Sequence, residues 1–78
     1  MFDLTYIYSE ENRSFTCTAI LKDSAKAEEI RKAFIGPVRQ INLFLDLYPQ
    51  GNILFLESPD KDTLLKAADI LNHSVDWK

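Results

Sequence analysis

Few residues of this 78-residue chain have types and spacing that could do chemistry, and each has a structural explanation beside the chemical one. His73 is the only histidine, so one chain cannot build a histidine-paired metal site. No serine or cysteine stands with it in a recognisable nucleophile pattern, and a half-exposed place on a helix accounts for it. Cys17 is the only cysteine, which excludes an internal disulfide and a cysteine-built metal centre. Thr16 and Thr18 on either side of it indicate a strand, where a free cysteine behaves as a small apolar residue facing inward. Asp60 and Asp62 form a carboxylate pair by spacing, but they stand at a helix start, where the positive end of the helix favours acids. The only glycines, Gly36 and Gly51, make no phosphate-cradling loop. These residues point away from an enzyme and call for no metal or cofactor.

The aromatic residues carry more information. Phe44, Tyr48 and Phe55 fall on one face of the most apolar stretch, residues 41–56. They are either a stacking platform for single-stranded RNA or part of a core or protein interface. Arg39 is the one base that flanks them, and a net charge of −3 argues against a general polyanion binder, which needs clustered Lys and Arg.

The elements that position these side chains follow from periodicity. Residues 2–8 alternate as a strand, with Phe2, Leu4, Tyr6 and Tyr8 on one side. A polar connector leads to a second strand at 15–21, where Phe15, Cys17, Ala19 and Leu21 share a face; so short a link makes the pair an antiparallel hairpin. Asp23-Ser24 caps a helix over 25–35 with an apolar stripe of Ala27, Ile30 and Phe34, and Gly36-Pro37 is expected to end it. Residues 41–48 and 53–56 then form a second hairpin around Pro49-Gln50-Gly51-Asn52. With an even turn, Leu43, Leu45 and Leu47 share a face with Leu54 and Leu56, and the other face carries Phe44, Tyr48, Ile53 and Phe55.

Ser58 caps the last helix with Pro59 in its first turn, and Leu64, Ala67, Ala68, Leu71 and Val75 make its main stripe. Ile70 and Trp77, seven apart with His73 between them, make a second strip. The expected architecture is α+β, ββαββα, an antiparallel sheet with two helices on one face, in a single domain spanning 1–78.

A sheet apolar on both sides needs cover on both sides, and two helices supply only one. A chain this short buries about 60% of its unfolded surface, so association would add to a marginal stability. The composition, 46% apolar and 27% charged, is that of a folded domain. No signal peptide, membrane span or lipidation motif is visible, which fits the cytoplasm and no membrane partner.

The stretch Leu71-Asn72-His73-Ser74-Val75-Asp76-Trp77 resembles the pattern Leu-Asn-x-x-aliphatic-x-Trp in the small dimerisation subunit of the KEOPS complex, and residues 15–77 follow that family's order of elements. The resemblance implies a KH-like fold, a dimer that joins two small sheets, and a non-catalytic place in threonylcarbamoyl-adenosine modification of tRNA. It implies binding to the catalytic transferase subunit, with tRNA reached only indirectly. The family's final helix usually carries arginines, whereas Asp69 and Asp76 make this one acidic. A paralogue that pairs with the usual dimerisation subunit, in place of self-association, accommodates that difference. The residues expected to meet another small α/β subunit, whether a second copy or a paralogue, are Phe44, Tyr48, Phe55, Ile70, His73 and Trp77. The alternatives are a KH-like RNA-binding module using the aromatic face and an unrelated small inhibitor or adaptor.

Overall fold

The computed structural model describes residues 1–41 and 45–77, with side chains described for 1–33 and 45–77. The order is β1 (Ile7–Ser9), β2 (Ser14–Ile20), α1 (Ser24–Ile41), β3 (Asp46–Gln50), β4 (Ile53–Ser58) and α2 (Lys61–Ser74), an α+β chain in the sequence ββαββα. The described strands form one sheet in the order β1-β2-β4-β3, antiparallel at every pairing.

Alternation along the central strands decides which side is core. Cys17 and Ala19 of β2 pair with Leu56 and Leu54 of β4, and Leu47 of β3 pairs with Leu56. All five are buried, and they pack with Ala27 and Ile30 of α1 and with Leu64, Ala67, Ala68 and Leu71 of α2. Both helices therefore lie on one side of the sheet. The expected core face of the second hairpin is present at Leu45, Leu47, Leu54 and Leu56, all buried; Leu43 lies outside the described residues. Cys17 is fully buried, and burial, helped by the Asp3 carboxylate, pushes its thiol pKa up, which keeps it neutral.

The β3–β4 hairpin turns at Gly51-Asn52, because Gln50 pairs with Ile53. The even count expected from sequence holds, but Pro49 and Gln50 belong to the strand rather than to the turn. Pro49 is tolerated there because β3 is an edge strand, where a missing N–H need not cost a ladder bond. Gly51 has φ of 61° and Asn52 is not left-handed, the pattern of a turn with glycine at its first central position. Asn52 ties this tip to the end of β2: Leu21 N donates to Asn52 O at 2.8 Å, and Asn52 Nδ2 donates to Leu21 O at 3.1 Å. A Cβ on Gly51 would meet nothing within 4 Å, so the left-handed backbone alone sets the cost of a side chain there. Gly51→Ala is expected to lower the unfolding free energy by about 1–2 kcal/mol, read from urea denaturation.

Several boundaries differ from the sequence expectation. Helix α1 does not stop at Gly36-Pro37 but runs through them to Ile41, 18 residues in all. Proline fits a helical φ, but inside a helix it loses the hydrogen bond of its own nitrogen and crowds the carbonyl four residues back. Helix α1 packs along β3, and that tertiary contact overrides the local stop signal. The strand expected over 41–48 accordingly shifts to Asp46–Gln50.

The strand expected over 2–8 shrinks to Ile7–Ser9. Asp3 Oδ1 accepts from Thr5 N at 2.9 Å, a local turn that competes with the ladder, and Asp3 N reaches Thr18 O at 2.8 Å only across the bend. Finally, α2 is capped by Asp60 rather than Ser58. The Asp60 carboxylate accepts from Thr63 N at 3.1 Å and from the Thr63 hydroxyl, which holds its pKa below the usual carboxylate value. Ser58 instead closes β4, its buried Oγ accepting from Asp60 N at 3.1 Å.

Candidate partner-docking face

The side of the sheet away from the helices is organised by the strand register into three cross-strand rows. One runs Ile7, Thr16, Glu57, Asp46; the next Thr18, Phe55, Tyr48; the third Ile20, Ile53, Gln50. At the margins Ile7 is 66% exposed and Ile20 74% exposed, values that place two β-branched apolar residues in water. In the centre Thr18, Phe55, Tyr48 and Ile53 are half-buried.

The Tyr48 and Phe55 rings stack at 5.3 Å between centroids and 13° between planes. Tyr48 Oη donates to Glu57 Oε2 at 3.2 Å. The pKa of the Tyr48 phenol is raised, first by burial and then by the carboxylates of Glu57 and Asp46. This is an apolar platform with one acidic end.

Tyr48 and Phe55 thus sit together, as their spacing predicted, while Phe44 lies outside the described residues. Ile70 and His73 stand apart from them, exposed on α2 on the far side of the sheet. His73 Nδ1 is 2.8 Å from the Asp69 carbonyl oxygen and 3.6 Å from Asp69 Oδ1, contacts within its own helix. Trp77 does not continue a strip with Ile70, because α2 ends at Ser74 and Val75 is extended. Its ring packs edge-on against Phe2, centroids 5.4 Å apart at 85°. Sequence inspection missed Ile7, Thr18, Ile20, Asp46 and Glu57 as parts of this face. The signal was in β2, where Thr16, Thr18 and Ile20 alternate with the core residues.

The motif at the chain's C-terminal end has a structural explanation. Phe2 N donates to Asn72 Oδ1 at 2.7 Å, and Asn72 Nδ2 donates to Phe2 O at 3.1 Å, so one side-chain amide satisfies both backbone groups of Phe2. Leu71 is core, and Val75 and Trp77 pack against it. Asn72 and Trp77 together fasten the N-terminal segment at Phe2 to the end of the chain, while Leu71 and Val75 belong to the core and its margin.

Other surfaces offer less. A cleft of about 140 Å³ lies between α1 and the segment after α2, lined by Lys26, Glu29, Ile30, Ala33, Val75 and Asp76. That is below the ~300–1,000 Å³ of small-molecule sites. Among the described residues no three His, Cys, Asp or Glu side chains converge on a metal position, and no helix is long and apolar enough to cross a membrane. No protein-family model matches the chain, and neither the curated proteins nor the solved structures contain a match to it.

Proposed function

We propose that this chain is a non-catalytic pairing subunit, and that its place is in a KEOPS-type complex acting on tRNA in the cytoplasm. The observation that carries the pairing role is the open sheet face, apolar across its centre and backed by the packed core on the other side. A patch of this kind marks an interaction surface more often than an accident of packing. The resemblance of Leu71, Asn72, Val75 and Trp77 to the KEOPS dimerisation subunit supplies the complex. Its partner there is another small α/β subunit, with the catalytic transferase subunit as a second contact and tRNA reached only through the assembly.

Among the described residues, nothing on the open face favours direct RNA binding. Arg39, the base nearest the aromatics in sequence, belongs to α1 rather than to the sheet. Tyr48 and Phe55 spend one ring face each on one another, and the adjacent carboxylates would repel phosphate.

The test mixes the purified chain with the small dimerisation subunit and with the transferase subunit of a KEOPS complex, read by light scattering and thermal melts. A discrete heteromeric complex is expected. At a partner concentration 100-fold above the dissociation constant, binding adds about 2.7 kcal/mol, or roughly 10 °C or more for a domain of this size. A monomer whose melting temperature ignores both subunits would overturn the proposal.

A further inference from the structure

We infer that the open face docks a protein segment carrying an apolar stripe flanked by Lys or Arg, and not a second copy of this chain. This rests on the pairing role just proposed and adds the chemistry of the partner. The centre of the face asks for apolar cover: Phe55, Tyr48 and Ile53 are half-buried, and Ile7 and Ile20 stand exposed at its margins.

Its charge then chooses among occupants. Asp46 and Glu57 are directly opposed across β3 and β4, an unfavourable juxtaposition of like charges. Among the described residues neither forms an ion pair, and the described part of the face holds no Lys, Arg or His. Among the described residues Glu57 accepts from the neutral Tyr48 hydroxyl and meets no cation. The described face of a second copy, laid against this one, would bring two more carboxylates and no cation, and would desolvate all of them without compensation. A cationic partner relieves the repulsion already present, and complementary charge of this kind selects the partner and fixes its register. The sheet's other face is covered by helices, and a helix is therefore the element the test presents.

The experiment is an amide NMR titration of the full chain with two synthetic amphipathic helical peptides of roughly 18 residues, five turns each. Both carry the same Leu/Ile/Phe stripe; one is flanked by Lys and Arg, the other by Glu. The cationic peptide is expected to shift the amides of Thr18, Tyr48, Phe55 and Glu57 and to bind about tenfold or more tighter than the acidic one. Its affinity should fall as salt is raised. The double variant Asp46→Asn/Glu57→Gln, which keeps an acceptor for the Tyr48 hydroxyl, should lose about tenfold in cationic-peptide affinity with its spectrum otherwise native.

Equal binding of the two peptides would overturn the inference, as would shifts confined to α1 or α2. Concentration-dependent shifts of the same amides without peptide would assign the face to a second copy. Equivalent shifts with oligo-uridine RNA would assign it to nucleic acid. The cationic peptide docking as expected while KEOPS subunits fail to associate would remove the KEOPS assignment and leave the chemistry of the face intact. A KEOPS subunit that associates without shifting these amides would do the reverse.

Discussion

Asn72→Ala is expected to destabilise the isolated chain by about 2–3 kcal/mol, more than an ordinary partly buried asparagine would cost. The amide of Asn72 holds both the N–H and the C=O of Phe2, at 2.7 and 3.1 Å. Removing it leaves a donor and an acceptor beside the core, each worth about 1–3 kcal/mol if unsatisfied, less what water recovers by reaching them. Phe2 itself is 3% exposed and packs edge-on to Trp77, so the cost includes the grip on a buried aromatic ring. The check is a double-mutant cycle in urea with Phe2→Ala, Asn72→Ala and the pair. If the clamp is real, the double variant costs clearly less than the sum of the singles, because each single already frees the segment. Additive losses would mean that Asn72 and Phe2 act independently.

The same clamp shows what was legible in the sequence. The order of elements, the core alternation of β2 and the even turn of the second hairpin all follow from periodicity, and they hold because a one-residue slip would turn every leucine of β4 into water. The extent of α1 was not legible. Gly36-Pro37 is a strong local stop, and only the contact of α1 with β3 says that the helix passes through it. The N-terminal strand failed through one side chain, the Asp3 carboxylate that captures Thr5 N and turns the chain. Trp77 was read by helical spacing from Ile70, which lost its meaning once α2 ended at Ser74.

For the candidate face the outcome divides in the same way. Tyr48 and Phe55 were visible because they alternate with leucines, and the register then stacks them. Asp46 and Glu57 lie 11 positions apart and become neighbours only through the pairing of β3 with β4. Ile7 and Thr16 join their row through β1 and β2. Apolar periodicity within single strands finds residues that share a face. It does not find charges that meet across strands, and those charges choose the partner.

Leu56→Ala and Phe55→Ala, adjacent substitutions on the central strand β4, should therefore have opposite signatures. Leu56 is fully buried between Cys17 and Leu47 in register, with both helices above that core. Its truncation removes buried methyl groups and leaves a cavity, costing about 2–5 kcal/mol. A chain of this length has a total stability of roughly 4–12 kcal/mol, so a substantial unfolded fraction is expected at 37 °C. Phe55 is half-buried on the open face and gives up its stack with Tyr48, worth about 0.5–1.5 kcal/mol, together with partial burial. Phe55→Ala should remain folded with a modest shift in its urea midpoint and lose about tenfold or more in affinity for the apolar cationic peptide, since a central aromatic is the usual anchor of an interface. Urea titrations and peptide binding on the same preparations separate the two effects. A loss of stability at Phe55 as large as that at Leu56 would place this face inside a core and end its candidacy as a docking surface.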